Sequence, residues 1–90
     1  MHDWALLSLL FDWEGAHLTL TLRNRSSDIV SLTVDGVVRL MVPKQSEWGR
    51  SGMVNEFTGP TRQLDGTEKL QIEMQSGDVI EITAGSFSFP

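Results

Sequence analysis

Apolar and polar residues alternate along most of the chain, and this period of two constrains the fold more than any other feature. Leu18, Leu20 and Leu22 alternate with a histidine and two threonines. Successive side chains of a β-strand point to opposite faces, so such a run predicts a half-buried strand. The alternation recurs with apolar residues at Val30, Leu32, Val34, Val38, Leu40, Val42, Leu70, Ile72, Met74, Ile80 and Ile82. The chain is therefore predicted to be all-β.

Short turn sequences separate these runs. Asp35-Gly36 predicts a two-residue hairpin, because a type I′ turn needs positive φ at both central positions. Glu14-Gly15-Ala16 and Ser76-Gly77-Asp78 link other neighbouring runs, and Asp65-Gly66 closes a more polar stretch. Strands joined by such short turns pair antiparallel.

The beginning of the chain allows two interpretations. Asp3 is a suitable cap for a short helix. However, Leu7, Leu9, Phe11 and Trp13 alternate, and the segment leads directly into the turn before the leucine run. This continuity favours a strand over a helix.

The remaining segments complete the predicted architecture. Residues 43–52 break any periodicity and predict a loop or one helical turn, because Pro43 cannot donate to a ladder. A short strand is expected over 53–58, ending at Gly59-Pro60, and another over 86–89. We expect a single all-β domain over residues 1–90, an antiparallel sandwich or rolled, barrel-like sheet of about seven or eight strands with little helix.

Length and charge exclude several classes of protein. The chain has 90 residues, no cysteine and a net charge of −5. A chain of this size predicts one small core, and the missing cysteines exclude disulfides and thiolate sites. The acidity disfavours nucleic acid and anionic membrane surfaces. The start carries no basic region, and Ala5–Phe11 is too short to cross a membrane, so we expect a cytoplasmic protein.

The charge is distributed unevenly along the chain. Residues 23–50 hold five cationic and three anionic side chains, whereas acidic residues dominate both flanking segments. A basic middle on an acidic body would suit an acidic peptide or the acidic part of a second copy. Ordinary mixing of surface charges is the simpler interpretation.

The irregular segment 43–57 is the best candidate for a contact surface. Tryptophan, arginine and methionine are enriched at protein interfaces, and loops on a rigid sheet commonly carry function. Its candidate binding residues are Trp48, Arg50, Met53, Asn55 and Glu56. The alternative is that Trp48 covers an open end of the core. His2 and Asp3 are two further candidate binding residues, because the carboxylate is able to orient the imidazole. The alternative is that this pair forms hydrogen bonds that fasten the start of the chain.

No catalytic, metal or cofactor site is predicted. Ser51 lies between glycines but outside the strand-turn-helix context of a nucleophile elbow. His2 and His17 lack the spacing that places two metal ligands on one element. No glycine-rich phosphate loop occurs.

Three stretches resemble a group of small uncharacterised bacterial proteins. These are His2-Asp3 with Asp12-Trp13, the run from Pro43 through Trp48-Gly49-Arg50-Ser51, and Met74-Gln75-Ser76-Gly77-Asp78. The resemblance spans nearly the whole chain, but Trp4 stands where a small residue is expected and Glu47 replaces a proline. Some small all-β bacterial proteins of this kind are grouped with immunity proteins, so the resemblance implies an immunity-like role.

These features favour a non-enzymatic interaction module that binds a protein partner, including a second copy in a homodimer. The alternative is a small-molecule-binding barrel with hydrolytic chemistry around His2, Asp3 and Asn55.

Overall fold

The computed structural model describes residues 3–44 and 52–90, and all regular structure within these ranges is β. The strands are β1 (Ala5–Asp12), β2 (His17–Arg23), β3 (Ile29–Met41), β4 (Val54–Arg62), β5 (Glu68–Met74) and β6 (Val79–Ser88). Every paired strand is antiparallel. The predicted all-β antiparallel class is confirmed, including the choice of a strand over a helix for the first segment.

The six strands form one sheet in the order β1-β2-β3-β6-β5-β4. Hairpins connect four of the five neighbouring pairs, and only β3 and β6 are neighbours without being consecutive. The sheet is not closed: in the described part of the chain, the edge strands β1 and β4 meet at an isolated bridge between Ala5 and Met53. This bridge, with backbone hydrogen bonds from Asp3 to Val54 and from Val54 to Trp4, brings the start of β1 to the start of β4.

One apolar core gathers side chains from both halves of the sheet. The alternation predicts nine core residues; of these, Leu18, Leu20, Leu22, Leu32, Val34, Ile72, Ile80 and Ile82 are buried, and Leu40 is partly buried against them. Val37, Val54, Leu70, Met74 and Ala84 complete the core. At its margin the ring of Phe89, after β6, meets that of Phe57 in β4 with centroids 6.4 Å apart, although β5 separates these strands in the sheet. The sheet therefore curves around its core.

The predicted hairpin at Asp35-Gly36 is wrong, because β3 continues through it as a strand of 13 residues. Gly36 does have positive φ, at 66°. The register with β6 then shifts between Val37 and Arg39, leaving Val38 as the extra residue of a β-bulge. The Asp-Gly pair therefore marks an irregularity inside one strand, where the two-residue turn was expected.

Two further boundaries differ from the predicted ones. The separate last strand expected over 86–89 is instead the end of β6. The strand expected to end at Gly59-Pro60 is β4, which continues through the cis peptide bond there with a register shift between Thr58 and Thr61. The described residues thus form six strands, where seven or eight were expected.

The four hairpin turns share one hydrogen-bond pattern. The carbonyl of Asn24 accepts from the N–H of Ser27, as Trp13 does from Ala16, Gln63 does from Gly66 and Met74 does from Gly77. The fourth residue of each turn has positive φ: 51° at Ala16, 66° at Ser27, 89° at Gly66 and 97° at Gly77. Glycine adopts this conformation without the steric penalty of a Cβ atom, so Ala16 and Ser27 are the strained members of the four.

We predict that Ser27→Gly raises the free energy of unfolding by about 0.5 kcal/mol, since relief of the left-handed strain exceeds the added freedom of the unfolded chain. Urea denaturation measures the change. The matched control Ser26→Gly lies beside it at a position without positive φ, so it should lower the same free energy by about 0.5 kcal/mol. A loss of stability in both variants would contradict the strain at Ser27.

Candidate functional site

The predicted binding residues fall into two groups. Trp48, Arg50 and His2 lie outside the residues that the structure describes. Asp3, Met53, Asn55 and Glu56 are described, and they lie where the start of β1 meets the start of β4.

Asp3 and Met53 belong to a clasp between the chain start and the β5–β6 turn. The N–H of Asp3 donates to the carbonyl of Val54 at 3.0 Å, and Gln75 Nε2 donates to Asp3 Oδ1 at 2.8 Å. The N–H of Gln75 also donates to the carbonyl of Met53 at 2.9 Å. A guanidinium nitrogen of Arg25 lies 3.8 Å from Asp3 Oδ2. These contacts give Asp3 a structural role.

Asn55 and Glu56 belong to the neighbouring part of β4. The side-chain amide of Asn55 donates to the carboxylate of Glu73 on β5. Glu56 is exposed and lies opposite Glu73 in the ladder. The structure thus attaches Asn55 to β5 and does not join Glu56 to the clasp through any described hydrogen bond.

A different surface has the composition of a contact site. It is an open depression of about 520 Å³ between the β1–β2 turn and the second half of β3. We call it the Trp13 depression; its lining residues are Phe11, Trp13, Ala16, Val37, Val38, Arg39 and Leu40. Six of these seven side chains are apolar or aromatic, so the surface is suited to an apolar group.

Backbone and ring contacts hold the depression in shape. The N–H of Val37 donates to the carbonyl of Ala16 at 2.9 Å, which ties β3 to the β1–β2 turn. The rings of Phe11 and Trp13 meet edge to face, with centroids 5.7 Å apart and an interplanar angle of 79°. Trp13 is nevertheless 86% exposed, and the bulge leaves Val38 68% exposed.

Polar side chains on the outer face of β1, β2 and β3 form a short network. His17 Nδ1 lies 2.7 Å from Asp35 Oδ1, and Thr19 Oγ1 lies 3.4 Å from His17 Nε2. Asp12 is the ladder partner of His17, and its Oδ1 accepts from the N–H of Gly15 at 3.3 Å. Asp12, His17 and Asp35 therefore lie side by side across three strands.

The Thr19, His17 and Asp35 side chains have the order of a nucleophile, a base and an orienting carboxylate. Acyl transfer also needs spare N–H donors for a developing oxyanion. β2 is paired with β1 on one side and with β3 on the other, so its backbone donors are used in the ladders. The arrangement supports a surface hydrogen-bond network more readily than catalysis.

Residues 3–44 and 52–90 offer neither a metal cluster nor a helical membrane span. No group of three histidine, cysteine or carboxylate residues in these ranges could hold a metal ion. No helix there is long and apolar enough to span a bilayer.

Two carboxyl groups have shifted acidities, and neither lines the Trp13 depression. The hydrogen bond from Lys69, whose Nζ lies 3.2 Å from Glu81 Oε1, lowers the pKa of Glu81. The hydroxyl and N–H of Thr67 bond to Asp65 and lower the pKa of Asp65. Glu81 lies on the outer surface of β5–β6, and Asp65 lies in the β4–β5 turn.

Comparisons with known proteins show the fold and no more. No family model and no curated protein matches the chain. A crystal structure of an uncharacterized protein from Neisseria gonorrhoeae is similar, with a TM-score of 0.68 and 14% sequence identity. The match covers 99% of this chain and 91% of that one.

Sequence reasoning missed the Trp13 depression because it assigned the wrong alternation to β3. Val38, Leu40 and Val42 were expected to share a buried face, whereas Val37 is buried and Val38 is exposed. The alternation changes phase at Gly36, since Val34 and Val37 are both buried while their register with β6 is unbroken. The bulge at Val38 then returns Leu40 to the partly buried side. The two adjacent apolar residues Val37 and Val38, directly after Gly36, were the sequence signal that the alternation breaks here.

Asp3 should behave as a structural residue. We predict that Asp3→Ala lowers the free energy of unfolding by about 1–2 kcal/mol, because it removes the Gln75 contact and places alanine in left-handed backbone. The positive φ of Asp3, 67°, is the basis for the second effect. Urea denaturation measures the loss. Glu56→Ala is the control and should change stability by less than about 0.5 kcal/mol; equal effects would contradict the clasp.

Proposed function

We propose that this protein is a non-enzymatic protein-interaction module and that the Trp13 depression is its contact surface. The observation that carries the proposal is the 86% exposure of Trp13 above an apolar depression. Tryptophan and arginine are over-represented among the residues that dominate binding energy at protein interfaces. Here Trp13 and Arg39 line one depression together with the exposed Val38.

The rigidity of the frame supports a binding role. The rings of Phe11 and Trp13 pack edge to face, and the Val37–Ala16 hydrogen bond joins the two elements that line the depression. A preorganised contact loses less conformational entropy when a partner binds. An exposed tryptophan in such a frame offers a large area to bury, which is worth about 2–4 kcal/mol at an interface centre.

A small-molecule site is the second candidate. The volume of about 520 Å³ is adequate for a small ligand. However, ligand pockets usually enclose most of the bound molecule and place several polar groups around it. The depression is open and contains one polar side chain, that of Arg39. This shape favours the flat contact of a protein partner.

Further parts of the proposal come from the sequence. The Trp48 and Arg50 segment remains a predicted second contact, and an immunity-like role, a homodimer and a cytoplasmic location remain proposals. A rolled, barrel-like form agrees with the shared core of β2 and β5.

Photo-crosslinking in the cells that produce the protein tests the contact surface. We predict that Val38→p-benzoylphenylalanine yields a specific adduct with one protein, while Leu64→p-benzoylphenylalanine yields none. Leu64 is a suitable control because it is also a fully exposed apolar residue and lies outside the Trp13 depression.

The captured protein is then purified and titrated against the variants. Trp13→Ala should raise the dissociation constant at least about tenfold, as expected for a hot-spot residue. Leu64→Ala should leave it unchanged, and Trp48→Ala tests the contact predicted from the sequence. The same adducts at positions 38 and 64, or a dissociation constant insensitive to Trp13→Ala, would contradict the proposal.

A further inference from the structure

The second half of β3 has a ladder partner on one side only. Residues 29–34 of this strand pair with β2, and residues 33–41 pair with β6 on the opposite side. β3 runs past the β1–β2 turn, where the N–H of Val37 donates to the carbonyl of Ala16. In the part of the chain that the structure describes, no backbone hydrogen bond reaches residues 38–41 from this side. We call this side of residues 38–41 the β3 edge.

The β3 edge is able to accept a further strand. A strand that is paired on one side presents free N–H and C=O groups on the other, and these groups are a template for pairing with another chain. Arg39, Leu40 and Met41 are in regular register with β6 after the bulge at Val38. Val38 is 68% exposed and Met41 is 44% exposed, and the four residues include no proline. The edge therefore keeps its backbone donors and offers apolar side chains.

The Trp13 depression adjoins the β3 edge. Val38, Arg39 and Leu40 line it on the side of β3, and Phe11 and Trp13 line it on the side of the β1–β2 hairpin. A strand added at the edge would therefore lie alongside the depression, where one of its side chains reaches the apolar lining.

Successive residues of the β3 edge point to opposite faces of the sheet. Leu40 pairs with the buried Ile82 and packs partly against the core, whereas Arg39 pairs with the half-buried Thr83 and is exposed. Residues opposite one another in a ladder point to the same face. A partner residue beside Leu40 would thus point towards the apolar lining, and the next residue of the partner would point outwards beside Arg39.

Arg39 has a charge that is available to a partner. Its guanidinium donates to Met41 Sδ at 3.0 Å, and a thioether sulfur is a weak acceptor. Glu81, the ladder partner of Met41, is bound by Lys69 at 3.2 Å. Arg39 takes part in none of the ion pairs within residues 3–44 and 52–90. The one charged side chain that lines the depression therefore favours an anionic group.

We propose that the partner binds the β3 edge as an added strand, with an apolar side chain in the Trp13 depression and a carboxylate on a neighbouring residue beside Arg39. This inference rests on the proposed function, for which it names the binding mode and the chemistry of the partner. In strand addition, main-chain hydrogen bonds supply affinity, and pockets for alternate side chains supply specificity.

The same edge of a second copy is a poor occupant. An isologous dimer would pair residues 38–41 with themselves, and these four residues include no carboxylate to bind Arg39. Each copy also has a net charge of −5, so two copies repel one another. The segment that fits the edge therefore belongs to a different protein.

Capped pentapeptides provide defined probes for the inference. The parent peptide has leucine at its centre, a glutamate on each side and a threonine at each end, and a neutral version has glutamine in place of both glutamates. Two further versions of the parent peptide carry a single N-methyl group, one on the leucine and one on the glutamate after it. Because successive N–H groups of a strand point to opposite sides, these two methyl groups block opposite edges of the peptide.

Each peptide is titrated into the ¹⁵N-labelled full chain while NMR follows the backbone amides and the indole N–H signals. Trp13→Phe assigns the indole signal of Trp13 among the three tryptophans. The parent peptide should shift this signal and the amides of residues 38–41. One N-methylated peptide should bind at least about fivefold more weakly than the parent and the other within about twofold of it, as expected for loss of main-chain hydrogen bonds on one edge.

The contact with Arg39 is tested by charge removal on both sides. The glutamine peptide should bind about threefold more weakly than the parent peptide, as expected for one exposed ion pair. Arg39→Gln should weaken the parent peptide by about the same factor and leave the glutamine peptide unchanged. The matched control Arg62→Gln removes an exposed cation at the end of β4 and should alter neither affinity. Equal effects of the two variants would contradict the carboxylate contact.

The remaining outcomes separate this inference from the proposed function. If both N-methylated peptides bind at Trp13 as tightly as the parent, strand addition is wrong and the contact surface stands. If no peptide shifts the amides of residues 38–41, the inference is wrong, and crosslinking at position 38 decides the contact surface independently. Sedimentation of the free chain should show a monomer; a dimer that the parent peptide dissociates would assign the edge to a second copy and overturn the inference.

Discussion

The pairing of β3 with β6 joins two sets of hairpin-linked strands into one sheet with one apolar core. Residues 29–34 of β3 pair with β2, whereas residues 33–41 pair with β6. A single strand thus belongs to both halves of the sheet. Because their apolar faces line one core, the loss of this pairing would separate Leu20 on β2 from Ile72 on β5.

The irregularity within β3 connects this architecture to the candidate site. Gly36 takes a positive φ, and Val38 is the extra residue of the bulge that follows. Val37 consequently remains in the core and donates its N–H to Ala16, while Val38 emerges beside Trp13. A bulge commonly redirects a side chain next to a functional site. In this protein it supports an exposed aromatic and aliphatic surface.

The parts of the fold that follow from periodicity were predictable from the sequence. Leu18, Leu20 and Leu22 are buried because a strand with period two places them on one face. Asp35-Gly36 was wrongly predicted to form a hairpin, because residues with positive φ occur both in tight hairpins and in bulges. Which of the two structures forms here depends on pairing with the strand β6. The Trp13 depression depends on the same nonlocal pairing, so local pattern alone could not locate it. No residue spacing or motif in the sequence predicts that Asp3 lies close to β4. The two are brought together by the bridge near the start of β1, which joins residues far apart in the chain.

Trp13 stands exposed on a preformed apolar surface in the free protein. Fluorine NMR of the chain labelled with 5-fluorotryptophan tests it directly, because the ¹⁹F shift difference between H₂O and D₂O reports solvent contact of each indole. Trp13→Phe and Trp4→Phe assign the signals of these two among the three tryptophans, and half-buried Trp4 is an internal reference. The structure predicts a solvent isotope shift for Trp13 close to that of free 5-fluorotryptophan and larger than that of Trp4. A Trp13 shift equal to or smaller than that of Trp4 would mean that the ring packs against the protein, and would contradict the account.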